Sequence, residues 1–256
     1  MSSSFRPLQL KKSLGQHFLK DESVCLRIIA YLKEQPFSHL LEIGPGAGAL
    51  TRFLITLEGV DFRAVEIDKE KEEYLKINFP SVRDRIIGMD FLKMEKPFDG
   101  QFSVVGNFPY NISTEILFKL MDWRTDIGQV IGMFQKEVAQ RIAAPPGNKI
   151  YGVTSVLIQA FFEVEYLFEV SAQAFQPPPK VRSAVIRLTP RKDPEKMKSA
   201  RSFSVLVKTA FNQRRKTLRN AVKSLFAKDI LQDTAFNRRA EELSVTEFAE
   251  LTWKMN

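Results

Sequence analysis

The chain has 256 residues, 44% hydrophobic and 27% charged, enough for one large domain, or one with a small appendage, around a real core. A single cysteine, Cys25, rules out an internal disulfide, and with only His17 and His39 beside it as soft ligands the composition argues against a structural metal site. No run reaches the roughly 18 apolar residues of a membrane span, and the start, MSSSFRPLQLKK, lacks an apolar signal region, so the cytoplasm is the expected location. The net charge of +8 is uneven: from Arg191 onward 15 Lys/Arg stand against 8 Asp/Glu, while residues 1–190 carry 23 against 22. A nearly neutral body with a basic tail points to a polyanionic partner, because each phosphate neutralised releases counterions.

Residues 21–36 read as a helix, with Asp21 as cap, Val24, Ile28, Ile29 and Leu32 at helical spacing, and Pro36 as stop. Strands and helices then alternate. HLLEI (39–43) is a strand and ALTRFLITL (49–57) a helix; FRAVEI (62–67) is a strand, followed by a charged helix over 69–78. RIIGM (85–89) and FSVVG (102–106) are further strands, with a helix over 113–122; IGQVIGMF (127–134) leads into the helix QKEVAQRIAA (135–144). This rhythm predicts an α/β fold with a mostly parallel sheet covered on both faces. A helix over 152–161 then leads into FEVEYLFEV (162–170), and SAVIRLTP (183–190) is another strand; AFQPPPKVR between them is too rich in proline for a helix. Past Arg191 no strand signal remains. Helices are expected over 200–226, in two pieces, and over 244–255, where Ser244 and Glu247 form a capping-box pattern. The expected division is 1–190 and 191–256, the second part small and all helical.

LLEIGPGAGALT places Gly44, Gly46 and Gly48 between a strand and a helix, where glycine lets the backbone turn sharply and approach a ligand. The G-x-G-x-G spacing differs from the G-x-G-x-x-G dinucleotide fingerprint, and with Glu42 before it favours S-adenosylmethionine over a nicotinamide cofactor. The motifs G-x-S-x-G and G-x-x-x-x-G-K are absent, which weakens hydrolase and P-loop readings. Glu66 ends the next strand, where an acid can accept from both ribose hydroxyls; Asp90 ends the third, positioned for an adenine amino group; Asn107 ends the fourth. Each acid alone is an ordinary cap or loop residue. Four successive strand ends bearing loop, acid, acid and amide make a ligand crevice at the carboxyl edge of the sheet.

The stretch FSVVGNFPYNIS (102–113) puts an amide, a proline and two aromatics at the exit of a buried strand. Neither Asn107 nor Tyr110 is a convincing nucleophile, so the methyl acceptor belongs to the substrate. Adenine N6 is a poor nucleophile because its lone pair is delocalised into the ring. The Asn107 amide oxygen and a backbone carbonyl near Pro109 can accept its two N–H hydrogens and stabilise the positive charge that develops. Tyr110 or Phe108 can stack on the base, worth about 1–3 kcal/mol. A strand-end turn with core-plugging aromatics is the competing explanation, as good as stacking for Phe108.

The chain resembles the KsgA (RsmA) family of rRNA adenine N6,N6-dimethyltransferases, from Lys11 to about Phe226. The resemblance rests on KKSLGQHFL, EIGPGAGALT, VEID, GMDFL, NFPYNIS, FQKEVAQRI, YGVTSV, QPPPKVRSAVIRL and AFNQRRKTLRN together. It implies a Rossmann-like class I methyltransferase sheet, its last strand antiparallel, followed by a helical domain. It also implies S-adenosylmethionine-dependent dimethylation of two adjacent adenines in a hairpin near the 3′ end of small-subunit rRNA. His17, Leu19, Gly44, Gly46, Glu66, Asp90 and Asn107 would then contact the cofactor, and Asn107, Pro109 and Tyr110 would form the acceptor site. His17 stands where many relatives have Asn, and Phe108 where Leu or Ile is more usual.

Lys11 and Lys12 form a basic N-terminal arm, and Arg214, Arg215, Lys216, Arg219 and Lys223 cluster in one helical stretch. Arg215, Arg219 and Lys223 would share a face at i, i+4 spacing, and phosphate contacts to folded RNA, within an immature small subunit, are expected. The rival readings are a large-subunit rRNA methyltransferase of the erythromycin-resistance type and a non-catalytic assembly or RNA-binding factor on the same fold. DNA adenine and protein glutamine methyltransferases usually carry Pro at the place of Phe108 and rank lower. No heptad seam suggests an oligomer, so a monomer is expected.

Overall fold

The computed structural model describes residues 17–256. In chain order, β1 (Phe18–Leu19) precedes α1 (Glu22–Lys33), β2 (His39–Ile43), α2 (Thr51–Leu54), β3 (Asp61–Glu66), α3 (Lys69–Asn78) and β4 (Ile86–Gly88). Then come β5 (Phe102–Asn107), α4 (Ser113–Asp122), β6 (Ile127–Gln135), α5 (Lys136–Ala143), α6 (Val153–Gln159) and β7 (Phe162–Val170). The chain finishes with β8 (Phe175–Gln176), β9 (Ser183–Pro190), α7 (Ala200–Asn212), α8 (Leu218–Ala221) and α9 (Val245–Thr252).

Seven strands form one sheet in the order β4-β3-β2-β5-β6-β9-β7. The pairs β4–β3, β3–β2, β2–β5 and β5–β6 are parallel, and β9 runs antiparallel to β6, from Val130 opposite Leu188 to Gln135 opposite Ser183. Strand order reverses between β2 and β5. In open α/β sheets, the carboxyl ends of the strands flanking such a switch point splay apart and leave a crevice. The two-residue strands β1 and β8 form a separate antiparallel ladder, Phe18 opposite Gln176 and Leu19 opposite Phe175.

Local chemistry accounts for most boundaries. Asp21 accepts from the Ser23 N–H at 2.9 Å and starts α1. The buried face of that helix, Val24, Cys25, Ile28, Ile29 and Leu32, joins Leu40, Val105, Ile131 and Val185 of the sheet in the main core. Helix α2 is a single turn rather than the nine residues its apolar pattern suggests. The Thr56 hydroxyl bonds back to the Phe53 carbonyl at 2.8 Å and closes it.

Two compact units result: the chain through Ala139 together with Glu165–Pro190, and Gln140–Val164 together with Arg191–Asn256. In the second unit the segment before the strands β7 and β9 packs with the segment after them. The Arg191 N–H donates to the Phe161 carbonyl at 2.8 Å, and the Tyr151, Phe211 and Phe248 rings follow one another at centroid spacings of 6.1 and 6.0 Å. Ser244 caps α9 and Glu247 reciprocates, at 3.1 and 2.7 Å. Among the described residues no helix is long and apolar enough to cross a membrane, and no group of three or more His, Cys, Asp or Glu is placed to hold a metal ion.

Candidate active site

The loop after β2 carries Gly44, Gly46 and Gly48 at φ +68°, +59° and +80°, a region that side chains rarely adopt. At Gly48 a side chain would also collide with the Phe79 ring. These turns place the loop beside Glu66, whose two oxygens accept from the Gly46 N–H at 3.1 Å and the Asp68 N–H at 3.0 Å. A carboxylate has about four acceptor positions, so Glu66 is oriented by backbone donors and still has capacity for a ligand. Asp90 behaves similarly: Oδ1 caps Leu92 at 2.9 Å, and its second oxygen is left for other donors.

These strand ends line one cavity of about 880 Å³ with Gly44, Gly46, Glu66, Asp90, Asn107, Pro109 and Tyr110 in its wall. His17 and Leu19 join them from the β1 end. His17 Nδ1 lies 2.8 Å from the Pro177 carbonyl; a carbonyl only accepts, so Nδ1 carries the proton in this bond. The residues expected for cofactor and acceptor therefore converge.

At the exit of β5, Asn107 is half-buried, and its amide has no hydrogen-bond partner among the described residues. Phe108 is buried and packs edge-on against Phe134 at 5.1 Å. It sits in a hollow left by two glycines: a Cβ on Gly106 would approach its ring at 2.7 Å and the Ile43 carbonyl at 2.5 Å, and one on Gly132 would approach it at 2.6 Å. Phe108 is thus a wall, and Tyr110 is the more exposed aromatic of the turn. The Pro109 ring lies 3.7 Å from where a Gly44 Cβ would stand, so the glycine loop and the Asn107–Tyr110 turn share a boundary. The Pro109 carbonyl accepts from the Ile112 N–H at 3.2 Å, which fixes its direction and leaves one lone pair. The Tyr110 hydroxyl meets the Ser183 hydroxyl at 2.6 Å; burial pushes the phenol above its usual range, partly offset by that bond.

Further residues line or back the cavity beyond those the sequence singled out as contacts. Glu42 is fully buried, accepts from the Thr51 hydroxyl at 2.7 Å, and is pushed up to about 8, chiefly by burial with a smaller contribution from the Glu66 charge. Gln135 ends β6 and extends the series of polar strand ends to a fifth member, a signal present in FQKEVAQRI. Lys71 reaches the wall from α3, its ammonium 5.6 Å from the Phe18 ring centre. Ser183 does not line the cavity but meets the Tyr110 hydroxyl behind its wall, and had only its place in QPPPKVRSAV to mark it.

The basic segment departs from expectation. Lys11 and Lys12 lie outside the described residues. Arg214, Arg215 and Lys216 occupy the turn between α7 and α8, Arg219 lies in the four-residue α8, and Lys223 lies beyond it. Arg215, Arg219 and Lys223 therefore share no helical face. The helix breaks because Thr217 takes an extended conformation and bridges to Arg239, while the Leu218 N–H donates to the Arg238 carbonyl at 2.7 Å. Arg214 is engaged with the Lys149 carbonyl at 2.5 Å, and Arg219 with the Leu231 carbonyl at 2.8 Å. Arg215, Lys216 and Lys223 are exposed.

Comparison with known proteins agrees with this geometry. Residues 8–253 match the family model described as ribosomal RNA adenine dimethylase. Ribosomal RNA small subunit methyltransferase A of Parabacteroides distasonis is 51% identical over 252 residues, covering 96% of this chain and 94% of the relative. The protein of the same name from Flavobacterium johnsoniae is 48% identical, covering 97% and 96%. Among solved structures, a dimethyladenosine transferase from Plasmodium falciparum superposes with a TM-score of 0.77 at 24% identity, over 92% of this chain and 96% of that one. The 23S rRNA methyltransferase ErmE gives a TM-score of 0.65 at 25% identity, over 91% and 99%. With its glycine loop, its polar strand ends and a family match along nearly its whole length, the chain belongs to the ribosomal RNA adenine dimethylase family.

Proposed function

We propose that this protein dimethylates N6 of two adjacent adenines near the 3′ end of small-subunit rRNA, acting as a monomer in the cytoplasm on an immature small subunit. The observation that carries the acceptor assignment is the Asn107 amide, without a hydrogen-bond partner among the described residues, near the oriented Pro109 carbonyl, one proline ring away from Gly44. S-adenosylmethionine fits the donor half. Glu66 is the carboxylate for ribose hydroxyls, Asp90 the acceptor for an adenine amine, and the Gly44–Gly46 backbone leaves room that a side chain would fill. When bound, that cofactor supplies a methyl carbon made electrophilic by its sulfonium.

The chain's own residues supply position and electrostatics. A base taken out of its stack rests against Tyr110, and the Asn107 amide oxygen and the Pro109 carbonyl accept from N6. Those two acceptors favour a more tetrahedral nitrogen and stabilise the charge that grows on it. Arg215, Lys216 and Lys223, with Lys11 and Lys12, contact phosphates, so affinity falls steeply with salt.

The test offers radiolabelled methyl donor with under-methylated small subunits, mature large subunits or naked RNA, followed by nucleoside analysis. Dimethyladenosine from small subunits alone is expected; transfer to large subunits instead would overturn the substrate assignment. Asn107→Ala should raise the barrier by roughly 3 kcal/mol, on the order of 100-fold in rate. Unchanged turnover would remove Asn107 from the mechanism.

A further inference from the structure

We infer that Ser183 is a positioning residue for the acceptor site: through its hydrogen bond to Tyr110 it sets the angle of the ring on which the target base rests. The inference rests on the acceptor reading above. It starts from a serine with no solvent exposure whose hydroxyl sits 2.6 Å from a phenol in the cavity wall.

Ser183 is well placed for this. It opens β9 opposite Gln135, the last residue of β6, and the neighbouring Arg182 carbonyl accepts from the Lys136 N–H at 2.9 Å. Two strand ends thus hold its backbone. At the other end of the tyrosine, the Ser113 hydroxyl donates to the Tyr110 carbonyl at 3.3 Å. Backbone and hydroxyl are both tethered, so the axis of the ring between them is fixed. A phenol hydroxyl prefers to lie in its ring plane by conjugation, which couples the bond to ring rotation as well. The His17 ring, 6.2 Å away and inclined by 31°, flanks Tyr110 and is itself held at the Pro177 carbonyl.

The same geometry assigns the hydroxyl a purpose. Facing a buried serine, it anchors the ring and does not move protons. Angle matters most at the second transfer, when N6 already carries a methyl group that must point away from the donor. A loosened platform admits the orientation in which that methyl blocks the approach.

The experiment compares Ser183→Ala, Tyr110→Phe and the double variant in the full chain with under-methylated small subunits, recording kcat, KM for donor and RNA, and the ratio of monomethyl- to dimethyladenosine. Each single change should lower kcat about 3- to 10-fold, the range for one neutral hydrogen bond, and should raise the monomethyl fraction with donor KM unchanged. Because both changes remove the same bond, the double variant should be no worse than either single one. Ser183→Thr, which keeps the hydroxyl, should restore the product ratio. Multiplying effects in the double variant, an unchanged product ratio, or a donor KM that rises with Ser183→Ala would overturn the inference. Tyr110→Phe keeps it testable should Ser183→Ala fail to fold. Tyr110→Ala separates the two readings: full turnover there would sink the acceptor site itself, whereas lost turnover with an unaltered Ser183→Ala would sink only the positioning role.

Discussion

Glu42 shows how burial changes what a residue type means. In the sequence it is a charged letter before a glycine loop; in the structure it is buried in β2 at the cavity wall and pushed up to about 8 from its ordinary 4.5. The folded state keeps this proton to higher pH than the unfolded state does. Its stabilising contribution is therefore complete below about 4.5 and is lost as pH rises toward 8. One proton of difference gives a slope of up to about 1.4 kcal/mol per pH unit. Glu42→Gln keeps the shape and an acceptor for the Thr51 hydroxyl but cannot ionise, so denaturant unfolding at several pH values should give a flatter profile between 5 and 8 than the parent. Parallel profiles would mean that Glu42 is already ionised in the native state.

At the scale of elements, β9 is fastened to its neighbours by Arg187. The guanidinium is buried and bonds to Glu165 of β7 at 2.9 Å, and to Glu34 at 2.6 Å and the Tyr31 carbonyl at 2.8 Å, both at the end of α1. The two glutamates are more than half exposed, so the cost of breaking the cluster depends on which side is removed. Arg187→Met releases carboxylates that water can solvate and should cost about 1 kcal/mol, whereas Glu34→Ala with Glu165→Ala strands a buried cation and should cost about 3 kcal/mol or more. Equal losses, or the reverse order, in urea titrations would refute this account. Elements with regular periodicity were legible in the sequence: β2, α3, α4 and β7 have the expected bounds. The polar residues closing successive apolar runs, Glu66, Asp90 and Asn107, led to the cavity because a strand end is a local event. What stayed hidden depends on distant partners. The break before α8 requires Arg238 and Arg239, the Tyr110 bond spans 73 positions, and Glu42 needs the whole sheet around it to be buried.

Across the whole molecule, the compact units are not laid end to end along the chain. The Gln159 amide bonds to the Ile142 and Ala144 carbonyls at 2.8 Å, Arg191 Nε reaches the Gln159 carbonyl at 2.8 Å, and the Gly147 N–H reaches the Glu241 carbonyl at 2.7 Å. A chain cut after Pro190 would leave 140–164 without the helices that complete this unit, exposing the Tyr151 and Val156–Ile158 apolar surface. Such a fragment should bind a hydrophobic dye and melt at lower temperature than the parent; a cooperative melt at the same temperature with no dye uptake would contradict the assignment. The β1–β8 ladder and the His17–Pro177 bond carry a related message about time. His17 leaves the ribosome 160 positions ahead of its partner carbonyl, so a nascent chain bearing every glycine and acid of the cavity wall still lacks the β1–β8 pairing that places His17 and Leu19 in it. An enzyme of ribosomal RNA thus stays unfinished until position 177 of its own chain has been made.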